Sequence, residues 1–207
     1  MVVRMEGSIG TNMFQNSYSR KGWYIEGLTA KFQPTNFPSR WILETTAPQN
    51  ANNTGAVSAT TGFDVGVTVS SSGPTVNASY SSSQTVRNDL TDWGVKNFNQ
   101  PPKAEWYYNL RRTSKGEYSG PEAMFSDLND GLPNLPDMST GGFATRSEAV
   151  WKGPANSTDV FAFESFFKMD VRNAFVNIFG FPPGAWAYGY SATRTNNWTL
   201  YLNRVHL

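Results

Sequence analysis

The clearest alternation of apolar and polar residues lies between residues 57 and 86. In its first limb one parity is mainly apolar and the other holds only small or polar residues; the apolar positions are Val57, Ala59, Phe63, Val65, Val67 and Val69. In the second limb the apolar positions are Val76, Ala78 and Tyr80. Because a period of two is typical of strands and the intervening Ser72-Gly73-Pro74 is typical of a turn, we predict a β-hairpin. Folding about Ser72-Gly73 pairs Val69 with Val76, Val67 with Ala78 and Val65 with Tyr80, which gives each face one chemical character.

Two environments suit this predicted hairpin. It could be the edge of a β-sandwich with its apolar face inward, or it could line a transmembrane barrel with apolar side chains towards lipid. Asp64 is the one charged residue between Glu44 and Arg87. Soluble proteins usually protect an exposed ribbon with Lys or Glu, and this one has neither. The pattern therefore leaves both environments open.

The rest of the chain predicts an all-β domain covering residues 1–207. Shorter strand-like segments occur at residues 2–9, 14–24, 27–32, 92–95, 104–112, 142–152, 158–170, 174–179 and 198–207. Residues 113–142 are rich in Gly, Pro, Asp and Asn and predict a long loop, and residues 181–197 predict an aromatic loop. Since no segment has convincing helical periodicity, we expect a β-sandwich core.

Composition excludes several kinds of function. Seventeen basic residues against sixteen acidic ones give a net charge of +1, which is not the signature of a nucleic-acid-binding protein. The chain has no Cys and one His, His206, and it contains no phosphate-binding loop or acidic metal cluster. We therefore expect no enzymatic activity, cofactor or metal. Residues 1–4 do not resemble a signal peptide, so we expect a cytosolic protein, a mature form or an isolated domain.

Motifs along most of the chain resemble the leukocidin/α-hemolysin family of β-barrel pore-forming toxins, which includes the cytolytic domain of Vibrio cytolysins. Their order and spacing carry the resemblance; the segments are residues 2–9, 61–66, 77–81, 92–93, 139–143, 172–175 and 196–201. In this comparison residues 57–86 correspond to the pre-stem hairpin, and residues 113–142 and 179–197 correspond to loops of the membrane-contacting rim.

The resemblance implies a secreted protein that binds target membranes, forms a ring of copies and inserts one shared β-barrel. Lipid would then face Phe63, Val65, Val67, Val69, Val76, Ala78 and Tyr80. The lumen would be lined by Asp64, Thr68 and Asn77. A closed ring is physically required, because a lone hairpin would leave backbone groups unpaired in lipid. The partners expected are membrane lipid and further copies of the chain.

An aromatic segment at residues 179–190 lies where the family's second rim loop would fall. We expect Phe179, Phe181, Trp186, Tyr188 and Tyr190 to contact the membrane, because Trp and Tyr are enriched at membrane–water boundaries. The alternative is an aromatic loop packed on the sandwich. The N-terminal region is shorter than in the family, so we expect its neighbour-gripping latch to be absent or minimal.

Two other functions compete with pore formation. One is a non-lytic β-sandwich module that binds carbohydrate or lipid, with the aromatic segment as its platform and the hairpin permanently docked. The other is a hydrolase on a β scaffold, for which no spacing of carboxylates selects a catalytic pair. Dye release from liposomes distinguishes the module, which would bind without release, from a pore.

Overall fold

The computed structural model of the chain is almost entirely β-structure. It describes residues 1–9, 15–16, 21–48, 60–67, 78–85, 92–125, 134–136, 139, 143–154, 158–177 and 184–201. In these ranges the strands are β1 (Val2–Ile9), β2 (Gln15–Asn16), β3 (Lys21–Asn36), β4 (Ile42–Ala47), β5 (Thr60–Val67), β6 (Ala78–Thr85), β7 (Trp93–Asn97), β8 (Ala104–Leu110), β9 (Arg112–Thr113), β10 (Gly116–Glu117), β11 (Phe143–Lys152), β12 (Val160–Asn177) and β13 (Gly184–Tyr201). A 3-10 helix spans Pro121–Phe125. The predicted all-β class is confirmed.

Two antiparallel sheets form the body of the fold. The larger has the strand order β13-β12-β3-β8-β7, with β2 also paired to β3, and the smaller has the order β1-β11-β4. The Tyr108 hydroxyl on β8 lies 2.9 Å from the Ser147 hydroxyl on β11. The rings of Phe32 on β3 and Trp151 on β11 meet edge to face. These contacts join the inner faces of the two sheets, as expected of a β-sandwich.

The alternating pattern of β8 shows why the core lies between the sheets. Its even positions, from Ala104 to Leu110, are buried, and its odd positions are half-buried on the opposite face. Trp106 is fully buried, and its indole N–H donates to the carbonyl of Pro48 at 3.2 Å. The Trp151 indole likewise donates to the carbonyl of Pro102 at 3.0 Å. Each large ring therefore contributes apolar burial without leaving its N–H unpaired.

A long hairpin, β12–β13, forms one side of the larger sheet. Its two strands pair over eighteen positions without a register shift, from Val160–Tyr201 to Asn177–Gly184. The predicted loop at residues 181–197 is therefore wrong over residues 184–197, which belong to β13. The physical reason is in the sequence, since Trp186, Tyr188 and Tyr190 are spaced by two and alternate with small residues. The two segments predicted at residues 158–170 and 174–179 also join in one strand, β12.

The predicted hairpin exists as a separate two-stranded sheet, β5–β6. Its antiparallel register pairs Val65 with Tyr80 and Val67 with Ala78. Both pairs are those that the alternation predicted. The third predicted pair, Val69 with Val76, lies outside the described residues, as does the turn.

Candidate functional site

The β5–β6 hairpin is the first part of the candidate site, and its register defines two faces. Phe63, Val65 and Val67 share one parity and pair with Ser82, Tyr80 and Ala78 respectively. The other parity pairs Gly62 with Ser83, Asp64 with Ser81 and Gly66 with Ser79. One face is therefore largely apolar and the other consists of small, polar residues around one carboxylate.

The expected stem and lumen residues are only partly within the described chain. Positions Phe63, Asp64, Val65, Val67, Ala78 and Tyr80 lie on the two strands. Val69, Val76, Thr68 and Asn77 lie outside the described residues. For all of these residues, the assignment to lipid or to the lumen stays a prediction. Ser82 interrupts the apolar face of β6 opposite Phe63, as the predicted register also implies.

A cluster of aromatic rings on β3, β12 and β13 is the second part of the candidate site. We call Trp23, Phe175, Tyr188 and Tyr190 the aromatic surface. Tyr188 stacks on Phe175 with centroids 5.9 Å apart, and Tyr190 lies 5.4 Å from the Trp23 ring. Tyr188 and Tyr190 are 53% and 55% exposed. Aromatic rings with this much exposure are candidates for a membrane or partner surface.

Of the rim residues expected from the sequence, the structure brings two together in this surface. Tyr188 and Tyr190 are both members, and Trp186 is paired through its backbone with Phe175. Phe179 and Phe181 lie outside the described residues. Sequence reasoning missed Trp23 and Phe175. Trp23 comes from β3, and only the pairing of β3 with β12 brings it beside residues more than 140 positions away.

Hydrogen bonds on the opposite face of the sheet hold the aromatic surface's strands in place. The Tyr118 hydroxyl donates to Glu26 Oε1 at 2.7 Å, and Arg172 Nε donates to Glu26 Oε2 at 2.5 Å. Tyr24 lies 2.9 Å from the Tyr118 hydroxyl, oxygen to oxygen. Because Tyr118 donates its single hydroxyl proton to Glu26, the Tyr24 hydroxyl is the donor in the contact between the two tyrosines. We call these four residues the tyrosine–carboxylate cluster.

Burial controls ionisation in this cluster. It raises the pKa of Tyr24 to about 12. Burial, Tyr24 and Glu26 together raise the pKa of Tyr118. Burial disfavours the charge of Arg172, but the hydrogen bond and ion pair with Glu26 outweigh it and raise the pKa of the guanidinium. Both phenols are therefore neutral at physiological pH, and the cluster is a structural brace joining the segment after β10 to β3 and β12.

The described residues contain no group of three or more His, Asp or Glu side chains that could hold a metal ion. Glu105 accepts a hydrogen bond from Lys103 at 2.7 Å. No helix in the described part of the chain is long and apolar enough to cross a membrane.

Comparisons with known proteins identify the fold. No protein-family model matches the chain, and no curated protein matches it in sequence. Among solved structures it is similar to Clostridium perfringens delta-toxin, with a TM-score of 0.64 and 15% identity, covering 98% of this chain and 79% of the toxin. It is also similar to the membrane-inserted form of Clostridium perfringens NetB toxin, with a TM-score of 0.59, 12% identity and coverage of 98% and 84%.

A third solved structure, described as a pore-forming protein, has a TM-score of 0.57 and 13% identity over 96% of this chain and 78% of that one. Two of the three are thus described as toxins and the third as a pore-forming protein. The similarity extends over nearly the whole chain while the identity stays low. The resemblance predicted from the order of the sequence motifs is thus confirmed in three dimensions: the chain has the fold of the leukocidin/α-hemolysin-type pore-forming toxins.

Proposed function

We propose that this protein is a pore-forming toxin that is secreted, binds target membranes, assembles into a ring and inserts residues 57–86 of each copy into one transmembrane β-barrel. The observation that carries the proposal is the β5–β6 register, which pairs Val65 with Tyr80 and Val67 with Ala78. A barrel wall needs one apolar and one polar face along the same ribbon, and this register supplies both.

Ring assembly follows from the energetics of the bilayer. Each edge of a single hairpin carries unpaired N–H and C=O groups, and each such group costs several kcal/mol in hydrocarbon. Pairing β6 of one copy with β5 of the next satisfies these groups all around a closed ring. The similarity to the membrane-inserted form of NetB toxin supports this arrangement by analogy of fold.

The aromatic surface is the proposed point of membrane contact. Tyr188 and Tyr190 present polar hydroxyls on apolar rings and are more than half exposed. Such side chains settle at the headgroup level of a bilayer. Trp186, Phe179 and Phe181 are proposed to extend this contact on the basis of the family resemblance.

Lysine substitutions at two adjacent stem positions test the proposal. Val67→Lys places a charge on the proposed lipid face, where it costs about 2–4 kcal/mol in each subunit near the barrel's midplane. Thr68→Lys places the same charge on the proposed lumen face, where water solvates it. We expect dye release from liposomes to be lost with Val67→Lys and retained with Thr68→Lys.

Circular dichroism of both variants in buffer controls for misfolding. Equal dye release by both folded variants would contradict the transmembrane assignment. Membrane binding by the parent without any dye release would favour the non-lytic binding module instead.

A further inference from the structure

Asp64 is isolated in a long uncharged ribbon. No other charged residue occurs between Glu44 and Arg87. On the hairpin Asp64 belongs to the polar parity and pairs with Ser81. Its neighbours of the same parity along β5 are Gly62 and Gly66, which carry no side chain. No cationic side chain of residues 57–86 therefore compensates its negative charge.

The position of Asp64 in the register fixes its height in any assembly of identical hairpins. Each copy would contribute one carboxylate, and the symmetry of a ring places all of them at the same level. The pairs above and below, Gly62 with Ser83 and Gly66 with Ser79, carry only small side chains at most. The carboxylates would form the single charged belt contributed by residues 57–86.

We propose that Asp64 makes the pore selective for cations. This inference rests on the proposed function, because it requires the ring and the lumen. A ring of carboxylates in a water-filled channel attracts cations and repels anions, as in cation channels that use Asp or Glu rings. Small polar neighbours leave the charge exposed to passing ions, and no Lys or Arg on the hairpin offsets it.

Salt concentration gives the proposal a second signature. The Debye length is about 10 Å at 0.1 M salt and about 3 Å at 1 M. At low salt the electrostatic potential of Asp64 would therefore extend further into the lumen and act on more of the ions that pass it. Cation preference should be strong at 0.1 M and weaker at 1 M, whereas selectivity by pore size would not change.

Reversal potentials in planar bilayers under a KCl gradient test the proposal. The parent should pass K⁺ several-fold more readily than Cl⁻. Asp64→Asn, which keeps the size of the side chain, should bring the reversal potential close to zero, and Asp64→Lys should reverse its sign. Adding Ser81→Asp to Asp64→Asn moves the carboxylate to the paired position and should restore cation preference.

The outcomes separate this inference from the proposed function. Conducting pores whose reversal potential is the same in the parent and in Asp64→Asn would overturn the role of Asp64 and leave pore formation standing. Failure of Ser81→Asp to restore selectivity would also count against the lumen position. A parent that neither conducts nor releases dye would overturn both proposals together.

Discussion

At the scale of single residues, Gly153 shows how closely the chain is packed directly after β11. Its α-carbon faces the ring of Trp41, and a Cβ at this position would lie well inside van der Waals distance of the ring carbons. Trp41 cannot easily move away. Its indole N–H donates to Asp159 Oδ2 at 2.8 Å, and its ring meets Phe161 edge to face at 4.8 Å. Only glycine therefore fits at position 153, because a larger side chain would overlap the Trp41 ring.

We predict that Gly153→Ala lowers the free energy of unfolding by about 1–3 kcal/mol, the usual cost of overpacking a rigid site. Urea denaturation followed by tryptophan fluorescence measures it. The matched control is Lys152→Ala at the exposed neighbouring position, which should stay within about 0.5 kcal/mol of the parent. An unchanged midpoint for Gly153→Ala would mean that Trp41 does not occupy this position in solution.

The tyrosine–carboxylate cluster predicts a loss of stability at alkaline pH. The folded pKa of Tyr24 is raised to about 12, and an unfolded tyrosine titrates near 10. Between these values the unfolded chain has lost the proton that the folded chain retains. Stability is therefore complete below about pH 10 and declines as pH rises towards 12.

Tyr118→Phe isolates this effect from the titration of surface lysines. The variant removes the Tyr118 hydroxyl, whose pKa is raised, and with it the hydrogen bond to Glu26. Its free energy of unfolding at pH 7 should therefore be lower by about 1.5–3 kcal/mol, the usual contribution of a hydrogen bond to a charged group. It should also lose less stability than the parent between pH 10 and 12. Urea midpoints measured across that range check both points. Identical pH profiles for the two proteins would show that Tyr118 is not held in the cluster.

At the scale of elements, β13 combines an aromatic end with a polar remainder. Every side chain from Tyr188 to Thr199 is exposed, and the rings of the aromatic surface lie near its start. A second exposed pair, Trp198 and Tyr201, lies at its other end. One strand thus presents two pairs of large aromatic residues in different places, which allows a matched comparison.

We predict that Trp186→Ala combined with Tyr188→Ala weakens membrane association, because aromatic rings anchor proteins at the headgroup level. Trp198→Ala combined with Tyr201→Ala removes the same two ring types outside the aromatic surface and should bind like the parent. Liposome co-sedimentation of the folded variants measures the difference. Equal co-sedimentation of both double variants would exclude Trp186 and Tyr188 as the principal membrane contact.

The sequence predicted the bounds of two strands of the smaller sheet to within one residue. Residues 2–9 coincide with β1, and residues 142–152 differ from β11 by one residue. Prediction failed where strands are long and interrupted by turn-forming residues. β3 continues through Pro34, and its pairing with β12 shifts register twice, once between Asp170 and Val171. At such a bulge a strand accommodates an extra residue and continues, whereas the local sequence pattern predicts that the strand ends there.

Pairing between distant strands was beyond the local patterns altogether. β1 pairs with β11 over eight positions, from Val2–Val150 to Ile9–Phe143. No periodicity in either segment specifies the other as its partner. The same holds for the tyrosine–carboxylate cluster, in which Glu26 meets Arg172 from the other end of the chain. By contrast, the register of β5–β6 was predictable, because the alternation of apolar and polar residues in the two limbs determines which residues share a face.

At the scale of the whole molecule, the fold and the hairpin together predict a change of state on membranes. We expect a monomer or a weakly associated protein in buffer and a ring of several copies on liposomes. The polar face of the hairpin, with Asp64 as its one charged residue, is poorly protected as an open ribbon, whereas a closed barrel pairs its edges.

Chemical cross-linking followed by gel electrophoresis checks this prediction, with the same protein and reagent in the absence of liposomes as the control. One discrete band of several copies should appear only with lipid. Monomer alone, at protein concentrations that release dye, would contradict assembly into a ring.

The most direct test of the central claim is a cysteine scan of β5. The chain has no native cysteine, so single cysteines at residues 62–67 can each carry one environment-sensitive fluorophore. On liposomes, probes at Phe63, Val65 and Val67 should show intense, blue-shifted emission and be quenched from within the lipid. Probes at Gly62, Asp64 and Gly66 should remain water-like and be quenched from solution. A uniform response at all six positions, on membranes that the protein binds, would contradict the insertion of this hairpin as a barrel wall.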